Sequence, residues 1–277
     1  MRAVLVGERS VWERAGWRPG LAELRDTGLG LKPPRPGRPT PDGGRLSAAS
    51  FEEALRLAAR GLVAGVVTAP VSKENWAQAG YPWTDHTDRL VALAGKGGAH
   101  MVLGVPSRNL WCVLATRHVP LKEAPRLLSA REVVASARRL DEALRLLGRA
   151  RPKLALCALN PHAGEGGLLG AEERRLLAPA VAAARAEGLS LSGPLPADSA
   201  WRLHAEGAYD GLVCLYHDQA LIPLKALGGL SGVNWTLGLP FVRTSPAHGT
   251  AYDAAASGKS DASAFAEASL LAALLVS

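Results

Sequence analysis

Three histidines sit where apolar runs end. His118 follows LWCVLATR, His162 follows LALCALNP, and His217 follows DGLVCLY. Imidazole is the commonest metal ligand, and three protein ligands with open positions form the usual catalytic arrangement. Three such groups at one sheet edge could therefore converge on a divalent ion. Each alone could equally hydrogen-bond a loop, and their separation in the chain matches no local zinc motif. Asp218 directly follows His217 and could orient it, as carboxylates beside metal-bound histidines do; Asp198, in PADS, is a second candidate for that role.

Downstream, Lys225, Asn234 and Arg243 recur at intervals of nine residues within a glycine- and proline-rich stretch. Two cations and an amide suit a phosphate or carboxylate, which arginine can grip with two parallel N–H groups. The expectation is that most of Lys225 to His248 is loop, either functional or ordinary surface. In PWTDHTDRL, Thr84 or Asp85 could cap a helix, and His86 and Thr87 at its start could meet an anion. The run LNPHAGEGGLLGAEE carries Gly164, Gly166, Gly167 and Gly170, with spacing that fits a dinucleotide fingerprint poorly. Glu172 and Glu173 would complement a helix dipole but repel a pyrophosphate. Those glycines read better as a tight backbone path around His162.

The elements that position these residues follow from periodicity. Apolar β-like runs (RAVLVG, GLVAGVVTAP, NLWCVLAT, KLALCALN, YDGLVCLY) alternate with amphipathic helical patterns, including one over about Ser129 to Leu147. This alternation predicts an α/β fold with a mainly parallel sheet, whose ligands bind beyond the carboxyl ends of the strands. Pro and Gly density predicts loop over Gly28 to Arg45, serving as a lid, a dimer arm or surface decoration. Cys112, Cys157 and Cys214 lie inside apolar runs and read as small core residues.

The chain has 277 residues and a formal charge of +7. Its arginines alternate with glutamates along helices, which argues for a solvated face and against nucleic acid; the surplus would steer anionic metabolites. No apolar run is long enough to span a membrane, and MRAVLVGERS lacks a signal peptide's pattern. The expected location is cytoplasmic, with no membrane partner.

Taken in order, VTAPVSKE, HTDRLVALAG, RHVPL, LNPHAGEGG, GPLPADS, YHDQALIPLK, GVNWTLGLPFVRTSPAHGTAYD and GKSDASAF resemble the 4-hydroxythreonine-4-phosphate dehydrogenases of vitamin B6 synthesis. The resemblance runs from about Gly61 to Ala264. It implies α/β/α layers with a mixed sheet and two subdomains flanking a cleft, akin to isocitrate and isopropylmalate dehydrogenases. The division expected is 1–80 with 256–277, and 81–255 carrying the metal and substrate site. The resemblance further implies a homodimer with active sites shared between subunits. A divalent metal, zinc with magnesium or cobalt as alternatives, would sit on His118, His162 and His217. Substrate would contact His86, Thr87, Lys225, Asn234 and Arg243, with His86 and Asp218 as catalytic candidates. NAD or NADP would bind without a Rossmann fingerprint. The implied reaction oxidises 4-phosphohydroxy-L-threonine and decarboxylates the product to 3-amino-2-oxopropyl phosphate. A related four-carbon acid, erythronate or threonate 4-phosphate, is the alternative substrate, and a metal-binding relative without catalysis is the other reading. Three departures stand out. The chain opens without the family's GDPAGIGPE-like turn, so a first strand and helix are expected to be missing. Asp85 and Asp88 replace the glycine and glutamate of GHTE, and Ala247 replaces the aspartate of SPDHGTA.

Overall fold

A computed structural model describes residues 2–94 and 99–277; Gly95, the last residue of HTDRLVALAG, lies outside them. The strands in chain order are β1 (Val4–Gly7), β2 (Glu23–Asp26), β3 (Gly65–Val67), β4 (His100–Val105), β5 (Leu110–Leu114), β6 (Leu154–Cys157), β7 (Leu191–Leu195), β8 (Gly211–Cys214), β9 (Val233–Leu237) and β10 (Val242–Pro246). Two compact units emerge, one of Met1–Ala99 with Gly238–Ser277 and one of His100–Leu237. Both this division and the expected one make the first unit discontinuous, but here the breaks follow residues 99 and 237. The reason is local: β10 pairs with β3, and Leu90 packs with Phe51 and Trp76.

In the second unit the strand order is β9-β4-β5-β8-β6-β7. The pairs β5–β8, β8–β6 and β6–β7 are parallel, whereas β4 runs antiparallel to β5 and β9. The expected α/β class with a mainly parallel mixed sheet is borne out. Every residue of β5, β6 and β8 is buried, as continuous apolar runs require. Cys112, Cys157 and Cys214 lie on these strands, buried and free. Ser129 accepts the Glu132 N–H and starts the helix Ala130–Leu146, matching the periodicity to within a residue. Its Val133, Ala137, Leu140 and Leu144 form the buried stripe expected of a 3.6-residue period.

In the first unit β1 and β2 run parallel, as do β3 and β10. The loop expected over Gly28 to Arg45 ends earlier. The helix Pro41–Ala59 begins inside it, with Thr40 accepting the Gly43 N–H and proline at its first position, an arrangement that stabilises a helix start. A Cβ on Gly44 would lie 2.0 Å from the Asn75 carbonyl oxygen, so the close approach of this helix to Lys73–Gln78 demands glycine. The stretch from Lys225 to His248 also departs from expectation. Lys225 lies in the helix His217–Gly228, Asn234 on β9 and Arg243 on β10. Here β-branched and aromatic residues between the glycines outweigh the turn signals.

Candidate active site

The first unit buries a cation against a histidine. Arg243, on β10, is 2% exposed. Its Nη2 donates to Thr68 Oγ1 at 2.6 Å and lies 3.3 Å from His86 Nδ1. The His86 ring is wedged between Phe51, centroids 4.3 Å apart, and the edge of Trp76, at 5.2 Å. Burial first, and the Arg243 charge second, push the His86 pKa down to about 3. Burial also lowers Arg243 to about 10, partly opposed by Asp85, so the guanidinium keeps its charge at neutral pH. The Asp85 carboxylate caps His86–Val91 by accepting the N–H groups of Thr87 and Asp88 at 2.8 and 3.1 Å, and pairs with Lys73 at 3.1 Å. Those N–H groups are therefore engaged, and the His86 ring and Thr87 hydroxyl are what remains to meet a ligand.

A neutral buried imidazole makes stability depend on pH. His204 adds to this: its Nε2 accepts the Trp111 N–H at 2.9 Å, its Nδ1 lies 2.8 Å from the Tyr209 carbonyl oxygen, and burial holds its pKa below the ordinary value. For both groups the folded pKa is depressed. Their contribution is therefore complete above the unfolded value of about 6.5 and is lost as pH falls below it, by up to about 1.4 kcal/mol per pH unit for each proton bound only on unfolding. Urea midpoints should fall between pH 7.5 and 5, and His86→Gln, which cannot titrate, should flatten that curve. Parallel curves for the two proteins would contradict a neutral His86.

In the second unit, the ring centroids of His118 and His217 are 5.5 Å apart and tilted 55°. His217 Nδ1 lies 2.7 Å from Asp218 Oδ1. The pair could share one ion at metal–nitrogen distances of about 2.0–2.1 Å. His162, however, does not complete the set: no group of three His, Cys, Asp or Glu side chains that could hold a metal occurs among the described residues. As arranged in this chain, the three histidines do not fit a three-ligand metal site. His118 instead lines a cavity of about 400 Å³ with Arg117, Glu132 and Arg139. Lys225 is exposed, whereas Asn234 holds its Oδ1 buried with no hydrogen-bond partner among the described residues.

Three residues that sequence reasoning missed or misread hold this edge together. Gln219 is buried. Its Oε1 accepts the Leu215 N–H at 2.7 Å, and its Nε2 donates to the Ala158 carbonyl at 2.8 Å. One amide thus ties the end of β8, which delivers His217, to the end of β6, which leads to His162. Thr116, past β5, donates its hydroxyl to the Leu215 carbonyl at 2.7 Å, bringing in the segment that carries His118. A glutamine next to the apolar AL of YHDQALIPLK was the available signal. Glu173, read as a helix-dipole partner, instead accepts from Leu159 N, Asn160 N and Asn160 Nδ2 at 2.9, 2.7 and 2.9 Å. Burial opposes its ionisation, but these donors hold its carboxyl below the ordinary range. Between them the backbone is left-handed at His162 (φ 51°), Ala163 (φ 54°) and Glu165 (φ 44°). Such φ values are unfavourable without glycine and persist where surrounding contacts over-determine them.

Fold and side-chain placement thus define an α/β enzyme scaffold that presents histidines at the ends of parallel strands and a buried arginine suited to an anion. Residues 15–272 match the family described as pyridoxal phosphate biosynthetic protein PdxA, and the chain belongs to it. It is 45% identical over 237 residues to the 4-hydroxythreonine-4-phosphate dehydrogenase of Geobacter metallireducens, covering 86% of this chain and 69% of that one. A Bradyrhizobium diazoefficiens protein described as a candidate D-threonate 4-phosphate dehydrogenase is 41% identical, covering 87% of this chain and 72% of that one. The crystal structure of the Klebsiella pneumoniae 4-hydroxythreonine-4-phosphate dehydrogenase superposes with a TM-score of 0.79 at 39% identity, covering 92% of this chain and 77% of that one. No helix among the described residues is long and apolar enough to cross a membrane.

Proposed function

We propose that this protein oxidises 4-phosphohydroxy-L-threonine with NAD or NADP and releases CO2 to give 3-amino-2-oxopropyl phosphate, a step of pyridoxal phosphate biosynthesis in the cytoplasm. The observation that carries this reading is the buried Arg243 guanidinium set against a neutral His86, in a chain 45% identical to an enzyme named for that substrate. A bound nicotinamide would supply a hydride acceptor for the hydroxyl-bearing carbon, the hydroxyl proton passing to solvent. Arg243 supplies a permanent charge for a substrate anion, and its burial strengthens that attraction. His86 and Thr87 provide the adjoining polar contacts. Lys225 and Asn234 are further proposed substrate contacts; the unsatisfied Asn234 Oδ1 suits a donor such as an amino or hydroxyl group. Asp218 steadies the His217 ring. Oxidation of the hydroxyl gives a 3-keto acid, which loses CO2 readily.

A homodimer accompanies this reading, as the resemblance to this enzyme family implies. The similarity to the Bradyrhizobium protein makes threonate 4-phosphate the specific competitor, with erythronate 4-phosphate beside it.

The test is NADH formation with each of the three acids, with and without chelator, in a buffer where sedimentation equilibrium reports the mass. The expected result is fastest turnover of 4-phosphohydroxythreonine by a species of two chains. Preference for threonate 4-phosphate would replace the substrate, and no reduction of NAD or NADP with any acid would overturn the reading. Loss of activity on chelation, restored by zinc in the native protein but not in His217→Ala, would reinstate the expected metal.

A further inference from the structure

We infer that Thr68 is a positioning residue that, through Arg243, fixes His86 as a neutral imidazole whose proton lies on Nε2, making His86 a hydrogen-bond donor to substrate and not its general base. The tautomer follows from what each atom can do. A guanidinium N–H only donates. Arg243 Nη2 reaches Thr68 Oγ1 at 2.6 Å and His86 Nδ1 at 3.3 Å, so both atoms must accept. A lone pair on Nδ1 leaves the single proton of a neutral imidazole on Nε2. The opposite tautomer would aim an N–H at a cation.

The surroundings allow little else. Thr68 follows β3 and is anchored by its own N–H to the Thr244 carbonyl at 3.1 Å, one residue from Arg243, and it is buried. Phe51 and Trp76 clamp the ring from two sides and carry no charge. Among the described residues, the charged groups facing His86 are Arg243 from β10 and Asp85 from its own helix start, the latter paired with Lys73. Arg243 and the burial disfavour the imidazolium, and burial outweighs Asp85. His86 Nε2 has no hydrogen-bond partner among the described residues. An Nε2–H donor recognises an acceptor oxygen, as of a phosphate, carboxylate or hydroxyl. It cannot also remove a proton from substrate, because its only basic nitrogen faces Arg243. That His86 meets substrate rests on the function proposed above; the tautomer does not.

The experiment is a long-range 1H–15N spectrum of histidine-labelled protein without substrate at pH 7.5, with His86→Gln used only to assign the signals. His86 should show a protonated Nε2 and an unprotonated Nδ1. Thr68→Val should spread it over both tautomers, and Thr68→Ser should restore the native pattern; if the valine variant does not fold, Thr68→Ala carries the same expectation. A protonated Nδ1 in the native protein, or an unaltered pattern in Thr68→Val, would overturn the inference. In turnover, Thr68→Val should raise KM about tenfold with a smaller change in kcat, as for one weakened charge-assisted hydrogen bond. The kcat profile should show no His86 limb near the ordinary histidine pKa. A kcat loss at unchanged KM would also count against it. Failure of NADH formation would sink the proposed reaction while the spectrum still decided the tautomer.

Discussion

Arg243→Ala is expected to lower kcat/KM on the phosphorylated hydroxy acid by about 100-fold, mostly through KM. A hydrogen bond to a charged group contributes roughly 1.5–3 kcal/mol, and each 1.36 kcal/mol is about tenfold in rate. Arg243 is 2% exposed, so water cannot replace the lost guanidinium without rearrangement. Alanine would also remove the donor shared by Thr68 and His86, freeing the His86 ring to change tautomer or to titrate. Arg243→Lys is not a conservative rescue, because an ammonium lacks the planar fork. Steady-state kinetics with both variants decide the point. An unchanged KM in Arg243→Ala would remove this residue from the anion site.

Gln219→Leu is expected to cost roughly 2–6 kcal/mol of stability, since it strands one buried donor and one buried acceptor at about 1–3 kcal/mol each. The groups are the Leu215 N–H and the Ala158 carbonyl, on residues 0% and 2% exposed. Total stabilities are only about 5–15 kcal/mol, so the loss should be plain in urea denaturation. Gln219→Glu separates the two bonds. Ionised, it keeps the acceptor for Leu215 but repels the Ala158 carbonyl; protonated, it can serve both. Its stability relative to the native protein should therefore improve as pH falls towards 5. A Gln219→Leu variant as stable as the native protein would show that the amide does not hold the two strand ends together.

Much of this was legible in the chain itself. The buried runs around Cys112, Cys157 and Cys214 announced adjacent core strands, because only strands covered on both faces stay apolar throughout. Ser129 marked its helix start through a local bond to a residue three positions on. The family, too, was legible, because its motifs are contiguous strings in a fixed order. What failed were readings in which one local signal had to stand for a whole segment. Glycine and proline made Lys225 to His248 look like loop, yet Asn234 and Arg243 lie on strands, since ladder partners on β4 and β3 are remote in sequence. Glu172 and Glu173 were indistinguishable as letters; only the distances to Leu159 and Asn160 showed which one clamps the His162 segment.

The sequence by itself determined the element types, the core strands and the set of residues able to do chemistry, because helix and strand periods, caps and motif strings act over a few neighbouring residues. Only the tertiary structure decided which of those residues meet. It joined His118 with His217 but left His162 outside a ligand set, and it brought Thr68 to Arg243 across 175 positions of chain. It also fixed the protonation of His86, for a pKa is set by burial and by the nearest charge, and neither is written in the residue's own neighbourhood.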